Sequence, residues 1–472
     1  MKPLSAISIA GATAWLVTLA VRASARDGDP WWQRWLGERI LHEHALPRAL
    51  GSEAFAANGA PWTPQEWLYS LLLALTQDHH AAWIMPAASG LAAGIALAGV
   101  ATRCSRRGVS DAYGAAAVLL CMVAMLQSFG ARPQVFGWAG LSLLLLCLES
   151  DGIAAWACVP LTALWANLHA SVLISPLVAL LFALAQPSRR RFAIAAACAL
   201  AVFATPLGAD LPRYAVALAL SPIRGAIAEW AATSTNSFAF MAGALPLLLI
   251  LAIFGRELSA RDKVLTAAFV PGLFFAVRNV PLFSIAIAPI ALSALPARTA
   301  SARSRIAFGL TAASIAVAFA AISIAAWYKA PSMPSIPSRL AVALKSNTRT
   351  EPRVFCEDFA WCSLFLSPET QAQVFMDGRA DPYPPALWSK YRDVIDGRRD
   401  WAAILDAYRV DAVLVRRNGA LDSLLATSTA WKPLAVDGQA RLYIKHGILT
   451  VRQRSVNARA TVRSGSMGPW KT

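Results

Sequence analysis

The stretch "AAWIMPAASGLAAGIALAGVATRCSRR" (residues 81–107) joins a long apolar run to a group of arginines. No residue from 81 to 102 is charged. A helix needs about 20 mainly apolar residues to cross the hydrocarbon core of a membrane. Arginines beside such a run are typical of the cytoplasmic side. The stretch therefore predicts a transmembrane helix whose C-terminal end faces the cytoplasm.

The composition of the whole chain supports a membrane protein. Of its 472 residues 57% are hydrophobic and 15% are charged, with a mean hydropathy of +0.49, whereas soluble domains average about 25% charged residues. Much of the net charge of +16 lies in short basic loops between apolar blocks. This distribution favours membrane orientation over phosphate contacts, so we expect no nucleic-acid partner. The pattern predicts a polytopic α-helical membrane protein.

We count about eleven predicted spans. Besides 81–102 they are 5–21, 110–129, 134–148, 153–168, 170–186, 192–208, 238–254, 264–277, 281–296 and 306–327. Alternation then places the basic loops 103–107, 188–191, 255–263 and 297–305 on the side of Lys2, which is the cytoplasmic side.

The first apolar run has two interpretations. "ASA" at 23–25 is typical of a signal-peptidase site, so the run could be a cleaved signal. We favour an uncleaved first helix because many spans follow it. Both interpretations place the long loop 22–80 outside the cytoplasm. Within it, "EWLYSLLLALT" (66–76) is too short to span and predicts an interfacial helix.

The outer ends of the predicted helices carry polar side chains, which are costly at that depth unless they line a cavity or a site. We predict that these residues bind substrate or phosphate. They are Arg132, Asn167, His169, Glu229, Arg278 and Asn279. The alternative is that each arginine pairs with a nearby acid and only fixes the packing.

The first outer loop supplies candidate catalytic acids, Asp29, Glu53 and Glu66. Sugar transfer from a lipid-linked phosphate needs a base for the acceptor hydroxyl and cations for the phosphate leaving group. Outer carboxylates and arginines would provide both. No histidine or cysteine spacing matches a zinc site, so we predict no metal ligands, while a divalent cation as cofactor stays open.

After residue 330 the pattern changes to alternating strands and helices. Residues 331–450 predict a small soluble α/β domain, which the topology places outside the cytoplasm. Cys356 and Cys362 could form a disulfide there, although the sequence does not supply the required geometry. Residues 451–472 are basic, lack acids and predict a disordered tail.

Several short motifs occur in an order that resembles a known group of proteins. They are "WWQRWLGERILHEHALP", "APWTPQEWL", "ARPQVF", "WANLHAS", "TPLG", "EW", "RNVPLF" and "VFMDGRADPY". Together they resemble a family of bacterial multipass membrane proteins that is similar to GT-C glycosyltransferases such as dolichyl-phosphate-mannose–protein mannosyltransferases. The resemblance implies a GT-C-like membrane domain over 1–330. It also implies contact with membrane lipid and a polyprenyl-phosphate-linked sugar donor at the cytoplasmic (inner) membrane of a bacterium.

One part of the family pattern is altered here. The first-loop motif that usually carries an aspartate reads "LPRALGSEAF", with Leu50 near that position and Glu53 close by. Asp29 in "GDPWW" matches the family's early acid, and "QEWL" keeps Glu66 without a preceding histidine. The leading hypothesis is a glycosyltransferase. The alternatives are a non-catalytic protein that binds an envelope glycan or partner, and a transporter of a lipid-linked intermediate.

Overall fold

The computed structural model describes residues 3–23, 27–78, 82–295, 338–348, 351–366, 370 and 372–447. The predicted span 306–327, the basic loop 297–305 and the tail 451–472 lie outside these residues. The chain divides into two compact units. The first comprises Met1–Ala49 and Pro61–Met333, and the second comprises Leu50–Ala60 and Pro334–Thr472.

The first unit is helical in its described part. Its α-helices are α1 (Pro3–Ala23), α2 (Asp29–Glu43), α3 (Trp67–Asp78), α4 (Ile84–Arg106), α5 (Asp111–Leu126), α6 (Gln134–Leu148), α7 (Cys158–Leu168), α8 (Ile174–Ala185), α9 (Arg189–Ala201), α10 (Asp210–Leu220), α11 (Leu245–Phe254), α12 (Ala260–Phe275) and α13 (Val280–Ser293). Short 3-10 turns accompany several of them, at Gly152–Ala157, Ala170–Leu173, Pro222–Ala226 and Val277–Asn279.

Three helical stretches among the described residues are long and apolar enough to cross a membrane. They are Pro3–Arg22, Ile84–Arg106 and Phe240–Glu257. The other apolar helices are shorter, such as Gln134–Leu148 and Val277–Ser293. These lengths establish a helical protein with segments able to cross a membrane, while the count of eleven spans stays a prediction.

Helix α13 lies at the centre of the first unit. Every residue from Val280 to Leu292 is buried, as expected for a helix that is apolar on all sides. It packs against α4, α5, α6, α11 and α12. Beside it, α1 and α4 approach closely, since a Cβ atom at Gly90 would lie 2.5 Å from the Cα atom of Val17. Small residues permit such contacts between membrane helices.

A buried arginine donates a hydrogen bond that the backbone of α13 lacks. Pro289 has no N–H group to donate to the carbonyl of Ile285, four residues earlier. Arg103 supplies that hydrogen bond instead, with its Nη1 atom 3.0 Å from the carbonyl oxygen. The guanidinium also pairs with Glu149 at 3.0 Å. The sequence placed Arg103 in a cytoplasmic loop, but its side chain is buried at the end of α4.

The second unit contains a five-stranded sheet of order β2-β1-β3-β5-β4. The strands are β1 (Arg353–Cys356), β2 (Gln373–Val374), β3 (Ala412–Arg416), β4 (Trp431–Asp437) and β5 (Ala440–Lys445). β1 is parallel to β2 and β3, and β5 is antiparallel to β3 and β4. The helices are α14 (Ser338–Asn347), α15 (Phe359–Cys362), α16 (Pro385–Ile395), α17 (Trp401–Ala407) and α18 (Ala420–Thr427).

A disulfide joins the end of β1 to α15. It links Cys356 and Cys362, whose Cα atoms are 5.7 Å apart, within the usual range for such a bond. The five other cysteines are free thiols.

The domain boundaries differ from the prediction at one place. We expected residues 50–60 to belong to the first domain, as part of the outer loop 22–80. The structure groups them with the second unit, because Phe55 packs edge-on against Phe375 at 5.9 Å and Glu53 pairs with Arg379. A partner 326 positions away in the sequence cannot be inferred from local patterns.

Candidate functional site

The half-buried guanidinium of Arg132 lies among three carboxylates in the first unit. The Nε and Nη2 atoms of Arg132 donate to the two oxygens of Asp27 at 2.7 and 3.0 Å. Nε also lies 3.3 Å from Asp29, and Nη1 donates to Glu229. We call these four residues the Arg132 cluster. The structure thus brings together three of the predicted site residues and adds Asp27.

Local structure fixes the position of each member of this cluster. Asp29 begins α2 and is followed by Pro30; a carboxylate is favourable at a helix N-terminus, and proline fits the first turn. Its backbone N–H donates to Asp27 at 3.1 Å, and Trp32 donates to its side chain at 3.3 Å. The Tyr69 hydroxyl donates to the carbonyl of Ala131 at 2.6 Å, which holds the turn that carries Arg132.

The two aspartates of the cluster titrate differently. Burial raises the pKa of Asp29 to about 7 and outweighs the opposing effect of Arg132, while Asp27 and Glu229 add to the increase. Burial also acts on Asp27, but the charge and hydrogen bonds of Arg132 prevail and lower the pKa of that carboxyl. Asp29 can therefore take up a proton near neutral pH, as a general base requires.

A second arginine lies beside the cluster. Arg278 follows α12, and its backbone N–H donates to the carbonyl of Glu229 at 3.2 Å. Its side chain donates to the Gln134 amide, and its guanidinium lies 5.8 Å from the centre of the Trp230 ring. In the described part of the chain Arg278 has no carboxylate partner. It is therefore a cation suited to an anionic ligand.

His169 is a neutral group in the same region. Burial, and then the charge of Arg278, lowers the pKa of His169 to about 3. Its Nδ1 atom accepts a hydrogen bond from the Ser171 backbone N–H at 3.1 Å. We therefore assign the proton to Nε2, which leaves that N–H as a donor.

Glu66 connects α2 to the turn that carries His169. The Gln33 side chain, one turn after Asp29, donates to Glu66 at 2.6 Å. Gln65 donates to the other Glu66 oxygen at 2.8 Å and accepts from the Ala170 backbone N–H at 2.7 Å. These contacts place Glu66 within the same polar region as Asp29 and His169.

The remaining predicted residues lie elsewhere or bind backbone. Asn167 donates to the carbonyls of Ala163 and Ala204, both at 2.8 Å, and Asn279 donates to that of Gly272 at 2.8 Å. Glu53 belongs to the second unit. Their predicted roles in binding or catalysis stay predictions.

Sequence reasoning did not select four residues that the structure places in this region: Asp27, Gln33, Gln134 and Trp230. Each has a signal in a motif. Asp27 lies two positions before Asp29 in "DGDPWW", and Gln134 ends "ARPQ". Across the described residues, no group of three or more histidine, cysteine or acidic side chains could hold a metal ion.

The fold of this chain is similar to that of ArnT, a GT-C glycosyltransferase, so the predicted resemblance is confirmed at the level of fold. One solved structure with this similarity is ArnT from Cupriavidus metallidurans bound to undecaprenyl phosphate. It has 13% sequence identity to this chain, covers 93% of this chain and 97% of its own, and gives a TM-score of 0.50. ArnT from the same organism in the apo state has 13% identity, covers 91% and 96%, and gives a TM-score of 0.49. No protein-family model matches the chain. A comparison with curated proteins also finds no match.

Proposed function

We propose that this protein transfers a sugar from a polyprenyl-phosphate carrier to an acceptor at the outer face of the cytoplasmic membrane. One observation carries the proposal. Asp29, whose pKa is about 7, lies in a cluster whose Glu229 also bonds through its backbone to Arg278, a cation without a carboxylate partner among the described residues. A base and an available cation in adjoining positions are what sugar transfer from a phosphate carrier requires.

The reaction follows from these positions. The Asp29 carboxylate removes the proton of the acceptor hydroxyl as the hydroxyl oxygen attacks the anomeric carbon of the sugar. The bond between that carbon and the phosphate oxygen breaks, and its electron pair stays on the phosphate. Arg278 and the Nε2–H group of His169 stabilise the added negative charge. Both groups are fixed before the reaction, so little reorganisation accompanies the charge transfer.

The contacts of Arg132 favour a different role from the predicted one. We predicted that it binds phosphate, but its Nε, Nη1 and Nη2 atoms all contact carboxylates of the cluster. A guanidinium occupied in this way holds the acids in place and keeps Asp27 ionised. Glu66, bonded to two amides, is likewise better suited to orient α2 and the His169 turn than to remove a proton.

Buried polar atoms beside Glu66 support a substrate contact here. Within the described chain, Gln33 Oε1, Trp67 Nε1 and Ser70 Oγ are buried without a hydrogen-bond partner. A buried polar atom without a partner costs about 1–3 kcal/mol. The hydroxyl groups of a sugar would supply such partners. The fold likeness to ArnT, whose crystal structure was determined with undecaprenyl phosphate bound, supports a polyprenyl-phosphate carrier.

The proposed location follows from the apolar helices and the basic loops. Three helical stretches among the described residues can cross a membrane, and the positive-inside rule puts the arginine-rich loops in the cytoplasm. The Arg132 cluster then faces outward. The disulfide between Cys356 and Cys362 supports an oxidising compartment for the second unit.

The test is transfer by the purified full-length protein in lipid nanodiscs. Undecaprenyl phosphate carrying a tritiated sugar, from a panel of sugars, is incubated with bacterial envelope membranes as acceptor, and release of undecaprenyl phosphate is followed. We expect Asp29→Asn to slow release by about 10²-fold or more. The control Glu43→Gln changes an acid at the far end of the same helix, paired on the surface with Arg39, and should keep the wild-type rate.

Two results would contradict the proposal. A wild-type rate in Asp29→Asn would remove Asp29 as the base. Binding of every labelled donor without release by the wild-type protein would favour the non-catalytic alternative instead.

A further inference from the structure

Residues 50–60 form a closed loop that belongs to the second unit. At its base the Leu50 backbone N–H donates to the Ala60 carbonyl at 2.9 Å, and Gly59 donates back to Leu50 at 2.8 Å. The flanking residues Ala49 and Pro61, which belong to the first unit, pair as an isolated bridge. The two ends of the segment are therefore adjacent. We call this segment the 50–60 loop.

A buried ion-pair network holds the 50–60 loop. Arg379 pairs with Asp377 at 2.6 Å, and both side chains are completely buried. The Nη1 atom of the same guanidinium donates to Glu53 at 3.2 Å. Glu53 also accepts from the Gly51 backbone N–H at 3.0 Å, so its carboxylate connects the loop backbone to the turn after β2. Removing one partner of a buried ion pair is strongly destabilising because a charge is left uncompensated.

Aromatic packing adds a second contact to the same loop. The Phe55 ring meets Phe375 edge-on at 5.9 Å, and the Arg353 guanidinium lies 5.1 Å from its centre. Between Glu53 and Phe55, Ala54 is 0% exposed. The loop is thus held by contacts on both sides of Ala54. Because Ala54 is buried, its exposure to solvent would show that the loop has moved.

We propose that the 50–60 loop is an anchor segment held within the second unit, and that Glu53 is a positioning residue in it rather than the base. The Glu53 carboxylate pairs with the fully buried guanidinium of Arg379 and accepts from its own loop backbone, contacts that hold the loop. Its effect on sugar transfer rests on the proposed function, but its effect on the loop does not.

The first experiment measures whether the loop is held. Ala54→Cys is introduced into the full-length protein, and its reaction with a membrane-impermeant maleimide is timed against the protein without that cysteine. Adding Glu53→Ala should speed labelling by about tenfold or more, since the buried guanidinium loses a partner. Glu53→Gln should have a smaller effect, because the amide oxygen still accepts from Arg379. The control Asp393→Asn breaks an ion pair in the same unit whose arginine is 63% exposed, and should change nothing.

A second variant keeps the test decisive if Glu53→Ala unfolds the unit. Phe55→Ala leaves the ion pairs intact and removes the aromatic contact, so it should also speed labelling of the cysteine introduced at position 54. Unchanged labelling in both Glu53→Ala and Phe55→Ala would overturn the anchor. A thermal scan of each variant separates local release of the loop from loss of the whole unit.

The second experiment asks whether Glu53 acts by position or by proton transfer. An anchor predicts that Glu53→Gln keeps most of the transfer rate, that Glu53→Ala loses more, and that neither changes the pH profile. Equal and near-complete loss in both variants, with unchanged labelling, would show that Glu53 is a base and overturn the proposal. If the wild-type protein transfers no sugar at all, the proposed function fails while the labelling result still decides the anchor.

Discussion

The pH dependence of the proposed sugar transfer tests the Arg132 cluster most directly. Glu229 and Asp29 both contact the Arg132 guanidinium, and the negative charge of Glu229 helps to raise the pKa of Asp29 to about 7. Glu229→Gln removes that charge and keeps a side chain of similar size. The pKa of Asp29 should fall, so that the base stays ionised at lower pH. We expect the acid limb of the kcat/KM profile to move to lower pH.

The size of this shift can be worked from the geometry. Two carboxylates on one guanidinium lie about 5 Å apart, and at an effective dielectric constant of roughly 20–40 their repulsion is about 1.5–3 kcal/mol. Removing it corresponds to a fall of about 1–2 in the pKa of Asp29, from about 7. The assay is release of undecaprenyl phosphate from pH 5 to pH 9. Glu43→Gln, which removes an equal charge outside the cluster, is the matched control.

The refuting results are specific. An acid limb that stays in place in Glu229→Gln would show that Asp29 is not the group that titrates. A limb that moves to higher pH would show that Glu229 supports the ionised form of the base, which is the opposite of the coupling described above.

Three further predictions concern stability and binding. The pKa of Asp29 is higher in the folded chain than its ordinary 3.8, so its contribution to stability is complete below that pH and is lost as the pH rises through about 7. Asp29→Asn should therefore raise the free energy of unfolding at pH 8 by a few kcal/mol, up to about 4, and not at pH 4, as measured by thermal unfolding at both values. Arg278→Gln should lower kcat/KM for the lipid-linked donor by about tenfold or more with a smaller change in thermal midpoint, because one charge-assisted contact to phosphate is lost; an unchanged kcat/KM would remove Arg278 from the phosphate site. Arg103→Leu should cost about 1–3 kcal/mol of stability in the same unfolding assay, because the Ile285 and Ala286 carbonyls lose their donor while Glu149 keeps Arg107 as a partner; unchanged stability would contradict the role of Arg103 in the packing.

The sequence predicted the type of fold more reliably than the ends of its elements. The span predicted at 81–102 is the helix Ile84–Arg106. Its last turn includes Arg103. A hydropathy profile assigns Arg103 to a loop because it averages residue polarity along the sequence and contains no information about contact partners. In the structure the helix extends past Arg103, whose charge is compensated by Glu149 and by the α13 carbonyls. A burial pattern of this kind depends on contacts between helices and has no local signal.

The site was predictable where polar residues interrupt apolar blocks. Asp29, Arg132, Glu229 and Arg278 were selected from the outer loops and helix ends, and the structure brings them together. Asn167 has a similar sequence context, yet its amide binds two backbone carbonyls near the end of α7. Asparagine often satisfies backbone groups in this way. A polar residue at a predicted outer helix end therefore indicates a polar environment. Its sequence position does not tell whether the side chain binds a ligand or a backbone group.

Three arginines of this chain show what separates these cases. Arg103 pairs with a buried carboxylate and two carbonyls, so its charge is used within the packing. Arg132 faces three carboxylates, so an excess of negative charge remains and one acid, Asp29, binds its proton near neutral pH. Arg278 contacts an amide and an aromatic ring, so its positive charge remains available. The ratio of carboxylates to guanidinium groups thus sets the chemistry of each position: a balanced ratio supports structure, an excess of acid supports a base, and an excess of cation supports an anion site.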